Sequence, residues 1–289
     1  MKRRILAAVF ALALLLGSQA SAWEADGLIE VGFRMLEEGN PFVRRFEERS
    51  GRKVETLFPQ GVPYLFAGKE SSAMFRWYPE YARCKAPRDS THFRKGEFYI
   101  YGLDCSGFTN YINKNGHRKQ HGTLQEMMND PNEAKAHHLY DQRMETPPPD
   151  WPELKDVLQV GDYLLIHRDG ALYRHIMMYI GTMRDFGYTE EEEPELAAYL
   201  DYPLVLHCGT SPVYGERFQK IIDGNPEKYG PCHTTDGGVQ ISIVGVKPEE
   251  APEHIHVQQT DFDYFIMRDG GYWLTAVNMT GLKSWCWYR

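Results

Sequence analysis

Two β-rich runs, residues 158–167 and 173–181, lie either side of a polar link, Arg168-Asp169-Gly170. An Asp-Gly step accommodates the backbone angles of a tight reversal, so the pair is expected to fold as an antiparallel hairpin. Strand alternation then sends His175, Met177 and Tyr179 to one face and Ile176, Met178 and Ile180 to the other. Residues 204–209 read as a third strand, with 239–244 and 263–268 as further ones. Parity directs His207 and Cys208 to opposite faces of that third strand, so the two should not serve one metal together.

The stretch Tyr101-Gly102-Leu103-Asp104-Cys105-Ser106-Gly107-Phe108 places a thiol where an extended segment gives way to a helix. Phe108, Tyr111 and Ile112 come after it at helical spacing, Asn115-Gly116 supplies a stop, and Asp104 or Ser106 can cap the start. A sulfur at the positive end of a helix is favoured as thiolate, whereas a free thiol, with a pKa of about 8.5, is mostly protonated at neutral pH. An arbitrary cysteine in such a place is most often a small buried residue. The histidines further along the chain change that expectation.

Residues 26–49 carry apolar positions that predict two helical pieces broken near Gly39-Asn40-Pro41, a helical lead-in to the main core. Residues 69–95 mix aromatics with charge and show no period. Thr123-Leu124-Gln125-Glu126 resembles a capping box for a further helix over 123–129. His137-His138 lies in a charged context and reads as solvated surface, as do the four glutamates at 190–193. The closing aromatics, Tyr272, Trp273, Trp285, Trp287 and Tyr288, can either complete a core or stack on sugars.

The first residues, Met1-Lys2-Arg3-Arg4, precede an apolar run over 5–16 and an Ala20-Ser21-Ala22 site, the pattern of a cleavable signal peptide. Cleavage is expected before Trp23, giving a secreted or periplasmic protein; no later run reaches membrane-spanning length. Losing Lys2, Arg3 and Arg4 and no acid takes the formal charge from -8 to -11. An acidic chain without a basic stripe is a poor nucleic-acid or anionic-membrane binder. Five cysteines are few for an exported chain of 289 residues. With Cys105 free, Cys84, Cys208, Cys232 and Cys286 allow two bridges in three pairings, or free thiols. No CxxC is present to suggest a zinc ribbon or redox dithiol. Oligomeric state is not legible.

One helix-terminal Cys, one His opening a central strand and one His on the next strand make a nucleophile, base and orienter set. Three segments resemble the NlpC-type cell-wall cysteine peptidases, a papain-like family of DL-endopeptidases. They are Val62-Pro63-Tyr64-Leu65-Phe66-Ala67-Gly68, then Asp104-Cys105-Ser106-Gly107-Phe108, then Val160-Gly161-Asp162 leading to His175-Ile176-Met177-Met178-Tyr179-Ile180-Gly181. Their order is the family's. The resemblance implies an α+β, papain-like fold in which the nucleophile helix packs on an antiparallel β-sheet. On this reading residues 1–22 are the signal peptide, 23–58 the helical lead-in and 59–289 the catalytic domain, with insertions near 69–100 and 182–203 that can wall a cleft. It further implies Cys105 as nucleophile, His175 as general base, His207 as the third residue, and Tyr64, Asp104 and Ser106 lining the substrate site. No metal or cofactor is required.

The implied activity is that of a cysteine endopeptidase, a hydrolase that cuts peptidoglycan stem peptides after γ-D-glutamyl. Alternatives are a thiol amidase, acyltransferase or transpeptidase on the same fold, since a fold does not fix a reaction. A zinc site built from Cys105, His175 and His207, or a non-catalytic cell-wall binder using the terminal aromatics, are the others.

Overall fold

A computed structural model of the chain describes residues 25–57, 61–62, 64, 98–99, 103–116, 137–142, 150–168, 171–210, 232–233, 237–246, 250, 252, 255, 257 and 272–278. The expected signal peptide, most of the expected 69–100 insertion, the expected helix over 123–129 and strand over 263–268, Cys84, Cys286 and the last aromatics lie outside these residues.

The fold is α+β. Helix α1 covers 25–33 and α2 covers Pro41–Ser50. The break between them has a chemical cause: the Asn40 side chain accepts the Phe42 N–H at 2.9 Å, and Pro41 occupies the first turn, where its missing N–H does no harm. Gly51 ends α2 in the left-handed conformation at φ 69°. Helix α3, Cys105–Asn115, buries Phe108 and Ile112, one turn apart on a single face.

The strands are β1 (Phe98–Tyr99), β2 (His137–Asp141), β3 (Tyr163–Arg168), β4 (Ala171–Gly181), β5 (Leu204–Thr210), β6 (Cys232–His233), β7 (Gly237–Ile243) and β8 (Tyr272–Asn278). Strands β1 and β6 form a short parallel pair, Phe98 opposite Cys232. The other six make one antiparallel sheet in the order β2-β8-β3-β4-β5-β7. The expected hairpin is β3–β4, whose last pair is Arg168 opposite Ala171.

Alternation divides the sheet's side chains between two apolar clusters. Ile176, Met178 and Ile180 of β4 and Leu204, Leu206 and Cys208 of β5 join Phe108 and Ile112 of α3, with Leu28, Phe33, Phe42 and Phe46 from the lead-in. Met177, Tyr179 and Val205 instead join Leu164, Ile166, Leu154 and Leu158. Side chains of this size stabilise by about 1.5–3 kcal/mol each when fully buried. Where α1 crosses α3 and β5, a Cβ on Gly32 would lie 2.4 Å from Leu206 Cδ2 and 3.1 Å from Ile112 Cδ1, so only glycine lets the helix approach this closely.

Residues 182–203 pack on the lead-in helices. Phe186 stacks on Phe33 at 5.8 Å and meets Phe42 edge-on at 5.3 Å, and Leu196 and Leu200 are buried in the same cluster. The glutamate run is tied down too, with Arg45 3.7 Å from both Glu192 and Glu193 and its guanidinium 3.8 Å above the Tyr188 ring. No helix among the described residues is long and apolar enough to cross a membrane.

Candidate active site

Cys105 is the first residue of α3 and is partly buried, with its thiol outside any disulfide. The turn holding it is built by Asp104, whose Oδ1 accepts both the Gly107 N–H at 2.7 Å and the Ser106 hydroxyl at 2.8 Å. One carboxylate thereby satisfies an otherwise orphaned helix donor and locks its neighbour's rotamer. Asp104 and Ser106 thus shape the turn that opens α3.

Tyr64 forms a parallel bridge with Leu103, two residues before the thiol. Its strand is fixed from both sides, since Val62 N–H donates to Met35 O at 2.9 Å and Val239 N–H donates to Val62 O at 2.8 Å. Burial, reinforced by the nearby Cys105, Cys208 and Asp104, pushes the Tyr64 phenol well above its ordinary range. The hydroxyl therefore keeps its proton and remains a donor.

The two proposed histidines come together. His175 Nε2 lies 2.8 Å from His207 Nδ1, with the rings nearly perpendicular at 86° and their centroids 4.8 Å apart. Antiparallel pairing of β4 with β5, Met178 opposite Leu206, sets them diagonally across the two strands although 32 residues separate them in sequence. Each has the strand parity of the second apolar cluster, His175 with Met177 and His207 with Val205. His175 is 3% exposed and His207 is fully buried. Burial pushes His175 down to about 3 and also holds His207 well below its ordinary value, with the neighbouring His175 adding to the effect. Both rings are neutral at neutral pH, so His175 is in its base form.

Two further residues complete the arrangement. His207 Nε2 lies 2.9 Å from the Oγ of Ser242, a buried residue of β7 opposite Val205. Gly209 flanks both rings; a Cβ there would sit 3.0 Å from His207 Nδ1 and 3.2 Å from His175 Cε1, tighter than side chains ordinarily tolerate. Neither residue stands out in the sequence. The strand over 239–244 is legible there, but only its pairing with β5 reveals which residue meets His207.

Cys208 points away from His207, as parity requires, and its thiol donates to the Leu103 carbonyl at 3.0 Å. This bond ties the segment leading into Cys105 to the residue next after His207. Cys208 is a buried thiol outside any disulfide, raised well above its ordinary pKa by burial, so the four remaining cysteines do not form two bridges. Among the described residues, no three His, Cys, Asp or Glu side chains are grouped so as to hold a metal ion. No family model matches the chain, and no curated protein or solved structure matches it.

Proposed function

We propose that the protein is a thiol peptidase of the NlpC type, with a papain-like arrangement, acting on peptidoglycan stem peptides at the bond following γ-D-glutamyl. The observation that carries the reading is the buried chain His175–His207–Ser242, joined by contacts of 2.8 and 2.9 Å. With Nε2 of His175 engaged by His207, the nitrogen that serves as base is Nδ1. In the proposed reaction the Cys105 sulfur attacks the scissile carbonyl as Nδ1 takes its proton, and the same proton goes to the leaving amine. Water then releases the acyl group by the reverse transfer. Positioned proton transfer of this kind contributes about 10²- to 10⁴-fold.

The N-terminal amides of α3 and the protonated Tyr64 hydroxyl are the proposed donors to the oxyanion. The segment order supports the family reading. The signal-peptide-like start and the acidic charge are compatible with an envelope substrate.

The test uses purified mature protein and defined muropeptides, with products read by mass spectrometry. Fragments bearing a new amine at the third residue are expected, and Cys105→Ala should abolish them. Equal cleavage by that variant removes the thiol from the reaction. Iodoacetamide labelling of Cys105 across pH, with and without His175→Ala, reports whether thiol and ring act as one unit; superimposable profiles would separate them.

A further inference from the structure

A neutral imidazole carries one proton on two possible nitrogens, and which one is set by the bonds around it. Here the choice is transmitted. The 2.8 Å contact between His175 Nε2 and His207 Nδ1 holds a single proton. If His207 Nδ1 donates, neutral His175 carries its own proton on Nδ1 and offers no lone pair there. If His175 Nε2 donates, Nδ1 is the acceptor that thiol chemistry needs.

What decides between these is the far end of His207. Its Nε2 meets Ser242 Oγ at 2.9 Å, and both residues are fully buried, so bulk water does not average the two forms. Strand register fixes the approach, since Val205 opposes Ser242 while His207 opposes Gln240, leaving the hydroxyl diagonal to the ring on the same face.

We propose that Ser242 is a positioning residue whose Oγ accepts the His207 Nε2–H, making His207 Nδ1 the acceptor of the His175 Nε2–H and keeping His175 Nδ1 as the proton-accepting nitrogen. During turnover the proton leaves Cys105 Sγ for His175 Nδ1 and later passes to the leaving amine, while the inter-ring proton stays on His175 Nε2. The catalytic meaning of this rests on the peptidase reading; the tautomer assignment does not.

The experiment is nitrogen NMR of the mature protein labelled with ¹⁵N-histidine at neutral pH, on wild type, Ser242→Ala and Ser242→Thr. Wild type and the Thr variant should show protons on Nε2 of both rings, and Ser242→Ala should move population to Nδ1. With muropeptides, Ser242→Ala should lower kcat roughly 10- to 100-fold with KM little changed, and Ser242→Thr should restore it. A wild-type His207 protonated on Nδ1 overturns the proposal, as does a Ser242→Ala variant with wild-type tautomers. If the tautomers shift as expected but wild type cleaves no muropeptide, the positioning role stands and the peptidase reading falls.

Discussion

Two histidines on adjacent strands of one hairpin make an instructive pair. His167 on β3 is buried and its Nε2 lies 2.8 Å from Thr275 Oγ1 on β8. His175 on β4 is equally buried and bonded at the same distance, but its partner is a second imidazole, which in turn meets a hydroxyl. Burial and a satisfied ring nitrogen therefore do not distinguish a core histidine from a candidate base. The difference lies in the ring placed between His175 and Ser242, which lets a distant hydroxyl dictate which nitrogen of His175 carries a proton.

The sharpest way to break this comparison is to remove each ring in turn. His175→Ala should lower kcat/KM on muropeptides by about 10³-fold or more, whereas His167→Ala should reduce stability and leave kcat/KM within about threefold. Equal losses in turnover would make the two histidines equivalent and strip His175 of its assigned role.

A second effect is thermodynamic. An unfolded chain takes up imidazole protons near pH 6.5, whereas the folded chain holds His175 neutral down to about 3. The unfolded state therefore binds more protons in that interval, and stability falls as pH drops below 6.5, by up to about 1.4 kcal/mol per unit for each such ring. Urea unfolding at pH 7.5, 6.5 and 5.5, above the ordinary carboxylate range, should show a falling midpoint, with a shallower fall in His207→Asn. A flat wild-type profile would contradict a neutral buried pair.

The smallest change sharpens the geometry. Gly209→Ala puts a methyl against both rings and should destabilise by about 1–3 kcal/mol with a several-fold loss of turnover. Turnover at the wild-type level would mean the imidazoles can part without consequence.

Local chemistry makes some of this legible in the sequence. Asn40-Pro41, the capped start at Asp104-Cys105 and the β3–β4 pairing each rest on chemistry within a few residues, and each appears where expected. Pairing between distant strands leaves no such mark. His137-His138 carries no strand signal yet begins β2, and Tyr272-Trp273 reads as part of an aromatic ending yet begins β8, which lies between β2 and β3 within the sheet. Residues 182–203 read in sequence as an insertion that can wall a cleft, and their packing on the lead-in helices is not marked there. The buried residues that anchor them, Met183, Phe186, Tyr188, Leu196 and Leu200, are too unevenly spaced to show a period. Ser242 is hidden for the same reason as β8: its importance comes from a neighbour 35 positions away.

The glycine contact between α1 and its neighbours bears on how the molecule can be shortened. Because the backbone at Gly32 rests directly on Leu206 and Ile112, the first helix is a shim set against both the strand bearing His207 and the helix that starts at Cys105. Trimming the chain to its catalytic-looking segments would pull that shim out. A fragment beginning near residue 59 would lose the surface that holds the thiol's helix and the imidazole's strand at a set spacing, even though every reactive group was still present.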